Sequence, residues 1–293
     1  MTIATFFLLA ATTFAESPDL ACQITLDRAG LSCNTIDGCW GRKSDRALAA
    51  AGEDLNPSTA PLFRFDTVTQ ADLDALVTIP AEPAAKARLP KMGYETLKEM
   101  FAERGHLSQR ALERLNPGID WEHVAVGTKI RIPDFPSMDE ELSVWPKDRP
   151  GAPIRPEAAL VKISLSEFEI TVYDKDGRLL ALFPCSIAKS KAKLPPAGEL
   201  KITTAIANPN YTYTPDFTPA GQKVKRYIWP EGPNCPIGVA WLGLNLPGYG
   251  IHGTVRPESI GNAESHGCFR LANWNAARLY ALCPVGTKVM ILP

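Results

Sequence analysis

Six prolines fall between residues 133 and 156 (positions 133, 136, 146, 150, 153 and 156), and the hydrophobic pattern changes across them. Upstream, apolar residues recur at helical spacing; downstream they alternate. One small domain does not accommodate both periods, so a multidomain chain is expected, with a stiff Pro-rich linker over residues 136–158. A length of 293 residues with 45% hydrophobic content suffices for two or three packed cores. The net charge of -1 provides no basic field, so nucleic acid is not an expected partner.

Downstream of the linker, Val161, Ile163 and Leu165 alternate, as do Phe168, Ile170 and Val172, and Asp176-Gly177 reads as a hairpin turn. Short strands follow near Ile187, at 200–206 and at 211–213. One helix, Trp274 to Leu282 with Asn273 as its cap, precedes a last strand at 288–292. Many strands and one helix predict a β-rich mixed sandwich over residues 159–293. Upstream, helices are expected at 20–30, at 45–51 capped by Ser44, and at 69–79 capped by Thr69. A linker at 80–90 then precedes short helices at 96–101 and 108–115 and a strand closing near Pro133.

The chemistry concentrates in Ser265-His266-Gly267-Cys268-Phe269-Arg270, preceded by Ile251-His252-Gly253-Thr254. One thiol stands near two of the four histidines, with glycines that let backbone approach it closely. His266 lies two residues before Cys268, on the same face and about 7 Å away if the segment is extended. His252 lies 16 residues upstream, and only the fold can bring it close. Local geometry does not rank the two. A neighbouring imidazole is expected to raise the thiolate fraction of Cys268. The amides of Gly267 and Cys268 are natural oxyanion donors, and Ser265 is expected to hydrogen-bond within the loop. Arg270 suits either a substrate carboxylate or a structural ion pair. Tyr249, Tyr227 and Trp229 are candidate walls of a cleft, with ordinary sheet packing an equal reading. Without any C-x2-C pair, a zinc site on Cys268, His266 and His252 ranks low; no metal and no organic cofactor are expected.

These two segments resemble the signature of the L,D-transpeptidases (the YkuD-type catalytic domain), in which a His-Gly-Thr-like segment precedes Ser-His-Gly-Cys-x-Arg. Tyr249-Gly250 and Pro230 to Gly238 also match the family pattern. The resemblance implies that Cys268 attacks the third-residue carbonyl of a peptidoglycan stem tetrapeptide, expels D-Ala and passes the acyl group to an amine. That amine belongs to a second stem peptide or to a wall-anchored protein. It favours His252 as proton carrier, its other nitrogen held by a backbone carbonyl such as that of Gly253, with His266 in support. The same acyl-enzyme resolved by water would make a hydrolase, and a retired site would leave a non-enzymatic wall-binding protein.

Upstream, Leu26 to Ser32, Ile36-Asp37-Gly38 and Arg46-Ala47-Leu48 resemble a small helical peptidoglycan-binding domain, placed at 16–80. Leu115-Asn116-Pro117 and Gly127-Thr128-Lys129-Ile130 resemble a βααβ LysM module, placed at 90–135 and implying glycan as a partner. The apolar run in residues 1–15 is too short to span a bilayer and reads as a signal peptide cleaved before Glu16, although no Lys or Arg precedes it. No integral membrane segment is expected. A secreted chain in the periplasm or cell wall accommodates seven cysteines. With Cys268 as nucleophile, Cys22, Cys33, Cys39, Cys185, Cys235 and Cys283 allow 15 pairings, and a staple between Cys33 and Cys39 fits the turn region.

Overall fold

The computed structural model of the chain describes residues 13–52, 60–143, 157–215, 224–265 and 267–293. The upstream half runs α1 (Pro18–Arg28), α2 (Arg42–Ala51), β1 (Phe63–Thr67), α3 (Gln70–Asp74), α4 (Pro83–Lys86), α5 (Leu97–Arg104), α6 (Gln109–Leu115), β2 (Lys129–Pro133) and α7 (Met138–Leu142). The downstream half runs β3 (Leu160–Ser164), β4 (Glu169–Tyr173), β5 (Leu179–Pro184), β6 (Ile187–Ala188), β7 (Gly198–Ala207), β8 (Tyr211–Tyr213), β9 (Tyr227–Trp229), β10 (Ala240–Leu244), β11 (Gly250–His252), β12 (Ala263–Ser265), β13 (Phe269–Arg270), α8 (Asn273–Leu282) and β14 (Lys288–Leu292).

Eight strands form one curled mixed sheet in the order β13-β11-β10-β7-β14-β3-β4-β5. The β11–β13 and β14–β3 pairs are parallel and the rest antiparallel. The alternation seen in the sequence decides which residues go inward: Val161, Ile163, Ile170, Val172, Leu242, Ile251 and Phe269 all join one core with α8. Nine of the ten α8 residues are buried, more than one amphipathic stripe requires. The second covering is the upstream half, which packs on the far side of this helix.

The upstream half has its own core, where Leu20, Ile24 and Ile36 meet Phe101, Leu112, Ile130 and Ile132. Residues expected in the separate 16–80 and 90–135 units therefore share one apolar cluster. β2 pairs antiparallel with β1, a strand that the sequence reading did not foresee, and α5 and α6 lie between them in the chain. At the other end of the large sheet, Leu182 of edge strand β5 donates to Gly30 and accepts from Ser32, so upstream backbone caps an edge that would otherwise stay open.

Several boundaries differ from the expectations, each for a local reason. The helix expected at 69–79 ends at Asp74, because the Val77 amide donates to the Tyr94 carbonyl instead of closing another turn. The expected linkers at 80–90 and 136–158 contain α4 and α7, the latter closed by a capping box between Ser137 and Glu140. Ser44 does not cap α2; it sits buried in the first turn, its hydroxyl accepting from Gln23. Asn273 does not cap α8, because its side chain is committed across the interface. Of the expected signal peptide, residues 1–12 lie outside the described residues. Phe14 packs against the upstream core, with the Arg114 guanidinium 3.8 Å from its ring centroid.

The expected disulfides are absent: all seven cysteines are free thiols. Cys33 is buried in an apolar cluster whereas Cys39 is exposed, so the proposed staple does not close. Cys185 and Cys283 are buried in the main core, where loss of solvent pushes both thiols upward.

Candidate active site

The parallel pairing of β11 with β13 builds the site. Ile251 lies opposite Phe269 and His252 opposite Arg270. Ile251 and Phe269 face the core, so His252, Arg270 and the preceding Cys268 fall on the opposite face of the sheet. The register brings together residues that are 18 apart in the chain and puts His252 opposite Arg270, two residues beyond Cys268. The Leu271 amide donates to the His252 carbonyl at 2.8 Å and extends the pairing toward α8.

His252 is buried, and its Nδ1 lies 2.6 Å from the Gly253 carbonyl oxygen. With Nδ1 donating, Nε2 is the acceptor. Burial pushes the imidazole down to about 4; the Gly253 carbonyl opposes this only partly, and the Arg270 charge adds to it. The ring is therefore neutral at physiological pH. Trp241, opposite His252 on β10, stacks on it with centroids 5.7 Å apart. Gly250 makes room for that indole, since a Cβ at this position would lie 2.5 Å from the Trp241 ring.

Cys268 is half-buried, with Sγ 3.5 Å from the Gly248 carbonyl oxygen. Burial raises its thiol, while the Gly250 amide and the Arg270 charge act in the opposite direction without overcoming it. The expectation is a raised thiolate fraction, whereas burial leaves both the Cys268 thiol and the His252 imidazole uncharged at rest. Gly267 adopts φ +155°, in the region where glycine is favoured. Its amide donates to Ser265 Oγ at 3.2 Å, and the same hydroxyl donates to the Cys268 carbonyl at 2.6 Å. Ser265 thus braces the loop and occupies the Gly267 amide. Of the two expected oxyanion donors, only the Cys268 amide is uncommitted among the described residues.

Arg270 forms no ion pair among the described residues and lines a cleft of about 950 Å³ between the two halves of the molecule. Leu73, Met92, Trp121, Trp229 and Thr254 share that cleft. Tyr249 lies over Gly267 and donates its hydroxyl to the Lys193 carbonyl at 3.0 Å. Trp229 stacks on Tyr213 at 4.6 Å and donates its indole N–H to Pro83, so sheet packing and the cleft share it. Tyr227 stands on β9 opposite Tyr213, under the Lys225 ammonium, and does not line that cleft. His266 lies outside the described residues.

The sequence reading missed Trp241 and Asn273. The alternation Ala240, Leu242, Leu244 already puts Trp241 on the outward face. Nothing in the sequence announces Asn273, whose amide lies in a notch between Gly238 and Gly253. Among the described residues no group of three His, Cys, Asp or Glu side chains is placed to hold a metal ion. No helix among them is long and apolar enough to cross a membrane.

The family model of the YkuD L,D-transpeptidase catalytic domain matches residues 158–291. The YkuD protein of Bacillus licheniformis, named as an L,D-transpeptidase, is 30% identical over 199 residues, covering 68% of this chain and 94% of its own. YqjB of Bacillus subtilis, named likewise, is 37% identical over 112 residues, 36% of this chain and 57% of its own. ErfK/SrfK of Escherichia coli, also named as an L,D-transpeptidase, is 26% identical over 208 residues, 70% of this chain and 61% of its own.

Proposed function

The chain belongs to the L,D-transpeptidase family, and on that premise we propose that Cys268 and His252 carry out acyl transfer on peptidoglycan stem peptides. The observation that supports this reading is the β11–β13 register, which puts the backbone-oriented His252 opposite Arg270, two residues beyond Cys268. As Sγ attacks the third-residue carbonyl of a stem tetrapeptide, its proton passes to His252 Nε2. The C–S bond forms, the peptide bond to D-Ala breaks, and His252 returns the proton to the leaving amine. An incoming amine then reverses the sequence: it attacks the thioester, His252 takes its proton, and Sγ leaves and is reprotonated.

Because both partners are neutral at rest, the thiolate forms as the attack proceeds. The Gly250 amide and the Arg270 charge support the developing negative charge. The Cys268 amide supplies one oxyanion donor, and the Gly267 amide joins it if Ser265 Oγ releases it. Arg270, which forms no ion pair among the described residues, offers its planar fork to a stem carboxylate at the mouth of the cleft. Tyr249 holds the nucleophile loop, and His266 supports it. The β1, α5, α6 and β2 unit carries the glycan on the upstream side of the same cleft. The protein works in the periplasm or cell wall.

The test is product analysis by mass spectrometry after feeding a tetrapeptide muropeptide with and without an amine acceptor. The expected products are free D-Ala and a cross-linked or amine-capped tripeptide, both lost in Cys268→Ala. Free tripeptide alone, with the acceptor in excess, would overturn the transferase reading in favour of hydrolysis.

A further inference from the structure

Helix α8 begins three residues after the end of the catalytic strand pair, and its first residue reaches across into the upstream half. Asn273 Nδ2 donates to both carboxyl oxygens of Glu103 on α5, at 3.1 and 3.4 Å, and to the Pro233 carbonyl at 3.1 Å. Glu103 is buried and forms no ion pair among the described residues. Its side-chain hydrogen bonds are with Asn273 from α8 and the Tyr94 hydroxyl at 3.3 Å, and Glu99 on its own helix and Glu258 of the 257–259 turn both act to raise its carboxyl. The other end of the Asn273 amide fills the space beside two glycines of the active-site backbone. A Cβ at Gly253 would lie 2.3 Å from Asn273 Oδ1, and one at Gly238 would lie 2.2 Å from it. Among the described residues that Oδ1 accepts no hydrogen bond. Steric contact and the Glu103 anchor therefore set the position of the amide.

We propose that Glu103 is a positioning residue for His252, acting through Asn273 on the Gly253 peptide whose carbonyl orients the imidazole. The proposal rests on the reading of His252 as proton carrier. The chain of contacts is short: Glu103 accepts from the Asn273 amide, Asn273 Oδ1 fills the space beside Gly253, and the Gly253 carbonyl lies 2.6 Å from Nδ1. A displaced carbonyl would turn the ring and point Nε2 away from the thiol, and sub-ångström errors of this kind are costly in catalysis. Burial drives the Glu103 carboxyl up to about 8, against the lowering effect of Asn273 and Tyr94, so at neutral pH it keeps its proton. An uncharged carboxyl needs no counterion in this dry seam, and its ionisation would call in water where the amide must stay fixed. The upstream half would thereby contribute directly to the geometry of the base.

The full-length protein is tested with Glu103→Ala and Glu103→Gln. Glu103→Ala should lower kcat about ten- to a hundredfold with KM nearly unchanged. Glu103→Gln, which keeps the shape and one acceptor, should recover most of that loss. It should also abolish the decline in kcat expected of the parent protein as pH rises through about 8. Independently of turnover, the 15N resonances of the His252 ring should report the Nδ1–H tautomer in the parent and in Glu103→Gln, and a mixture of tautomers in Glu103→Ala. Lowered thermal stability with unchanged kcat per folded molecule and unchanged His252 signals would overturn the proposal and leave Glu103 a packing residue. Absent transfer activity in the parent with the ring signals still responding would instead overturn the reading of the reaction and keep the positioning link.

Discussion

Among the described residues two histidines are buried to nearly the same depth, in different surroundings. His106, like His252, is almost inaccessible, and it is packed between two aromatic rings: Phe135 and Trp274 stack on it with centroids 4.2 and 5.1 Å away. Its Nδ1, however, lies 2.9 Å from a carboxylate, that of Asp27, which is wholly buried. Burial alone would raise the Asp27 carboxyl, but His106, Arg278 and Ser32 together hold it below the usual range. His252 has only a carbonyl partner, so burial prevails and the ring stays neutral. The partner of Nδ1 separates a structural contact from a base: at His106 the ring serves to hold the Asp27 carboxylate, whereas at His252 a carbonyl orients the ring and leaves it free to accept a proton.

The largest effects should separate the two rings cleanly. His252→Gln should reduce kcat/KM by about 10²–10⁴ through loss of proton transfer, with a thermal midpoint close to that of the parent protein. His106→Ala should do the reverse. It leaves Asp27 as a buried charge short of a partner, a defect that typically costs about 3–5 kcal/mol, while kcat per folded molecule is retained. Denaturant unfolding and steady-state transfer assays on both variants check this; a crossover of the two phenotypes would break the comparison.

Acidification should produce two losses in sequence. His252 is pushed down to about 4, so kcat/KM should hold through pH 6.5, where an ordinary imidazole would already be protonating, and fall only near 4. Asp27 has a lowered folded-state value, so its contribution to stability is complete above its unfolded value near 3.9 and is lost as pH falls further. Activity should therefore vanish reversibly before the Asp27 contribution to stability is lost. Equilibrium unfolding from pH 6 to 2.5 should show a shallower acid slope in Asp27→Asn than in the parent, and rate profiles fix the first limb.

Much of this contrast was readable in advance, and the unread part has a common cause. The strands from Val161 to Val172 announced themselves because their inward residues alternate. Cys268 and His252 were legible because nucleophile chemistry demands particular residue types beside glycines. Asp27, Glu103, His106 and Asn273 carried no such mark. Each acts through a partner 79 to 170 residues away in the chain, and each would look like an ordinary helix or turn residue in a window of any local length. The strand at Phe63 was overlooked for the same reason: its partner, β2, starts more than 60 residues downstream and no hairpin turn joins them. The direction of the Cys268 shift also escaped, because a motif shows neighbours but not the loss of water around them.

The smallest effect tests whether the aromatic cover matters as much as the partner atom. Trp241 stacks on His252 from β10, and the absence of a side chain at Gly250 gives the indole its place. Trp241→Leu should remove an aromatic contact worth about 0.5–1.5 kcal/mol and admit water to the exposed face of the imidazole. Since burial is the leading cause of the depressed His252 value, rehydration should move it upward, and the acid limb of kcat/KM should move with it. Nδ1 would still donate to the Gly253 carbonyl, so the tautomer and the plateau rate near neutral pH should change little. The corresponding change at the other ring, Phe135→Leu, leaves the Asp27 carboxylate in place and should shift stability without altering the pH dependence of turnover. NMR titration of both rings in the two variants provides the measurement. If the acid limb stays near 4 in Trp241→Leu, the Gly253 carbonyl and Arg270 set the base without help from the indole.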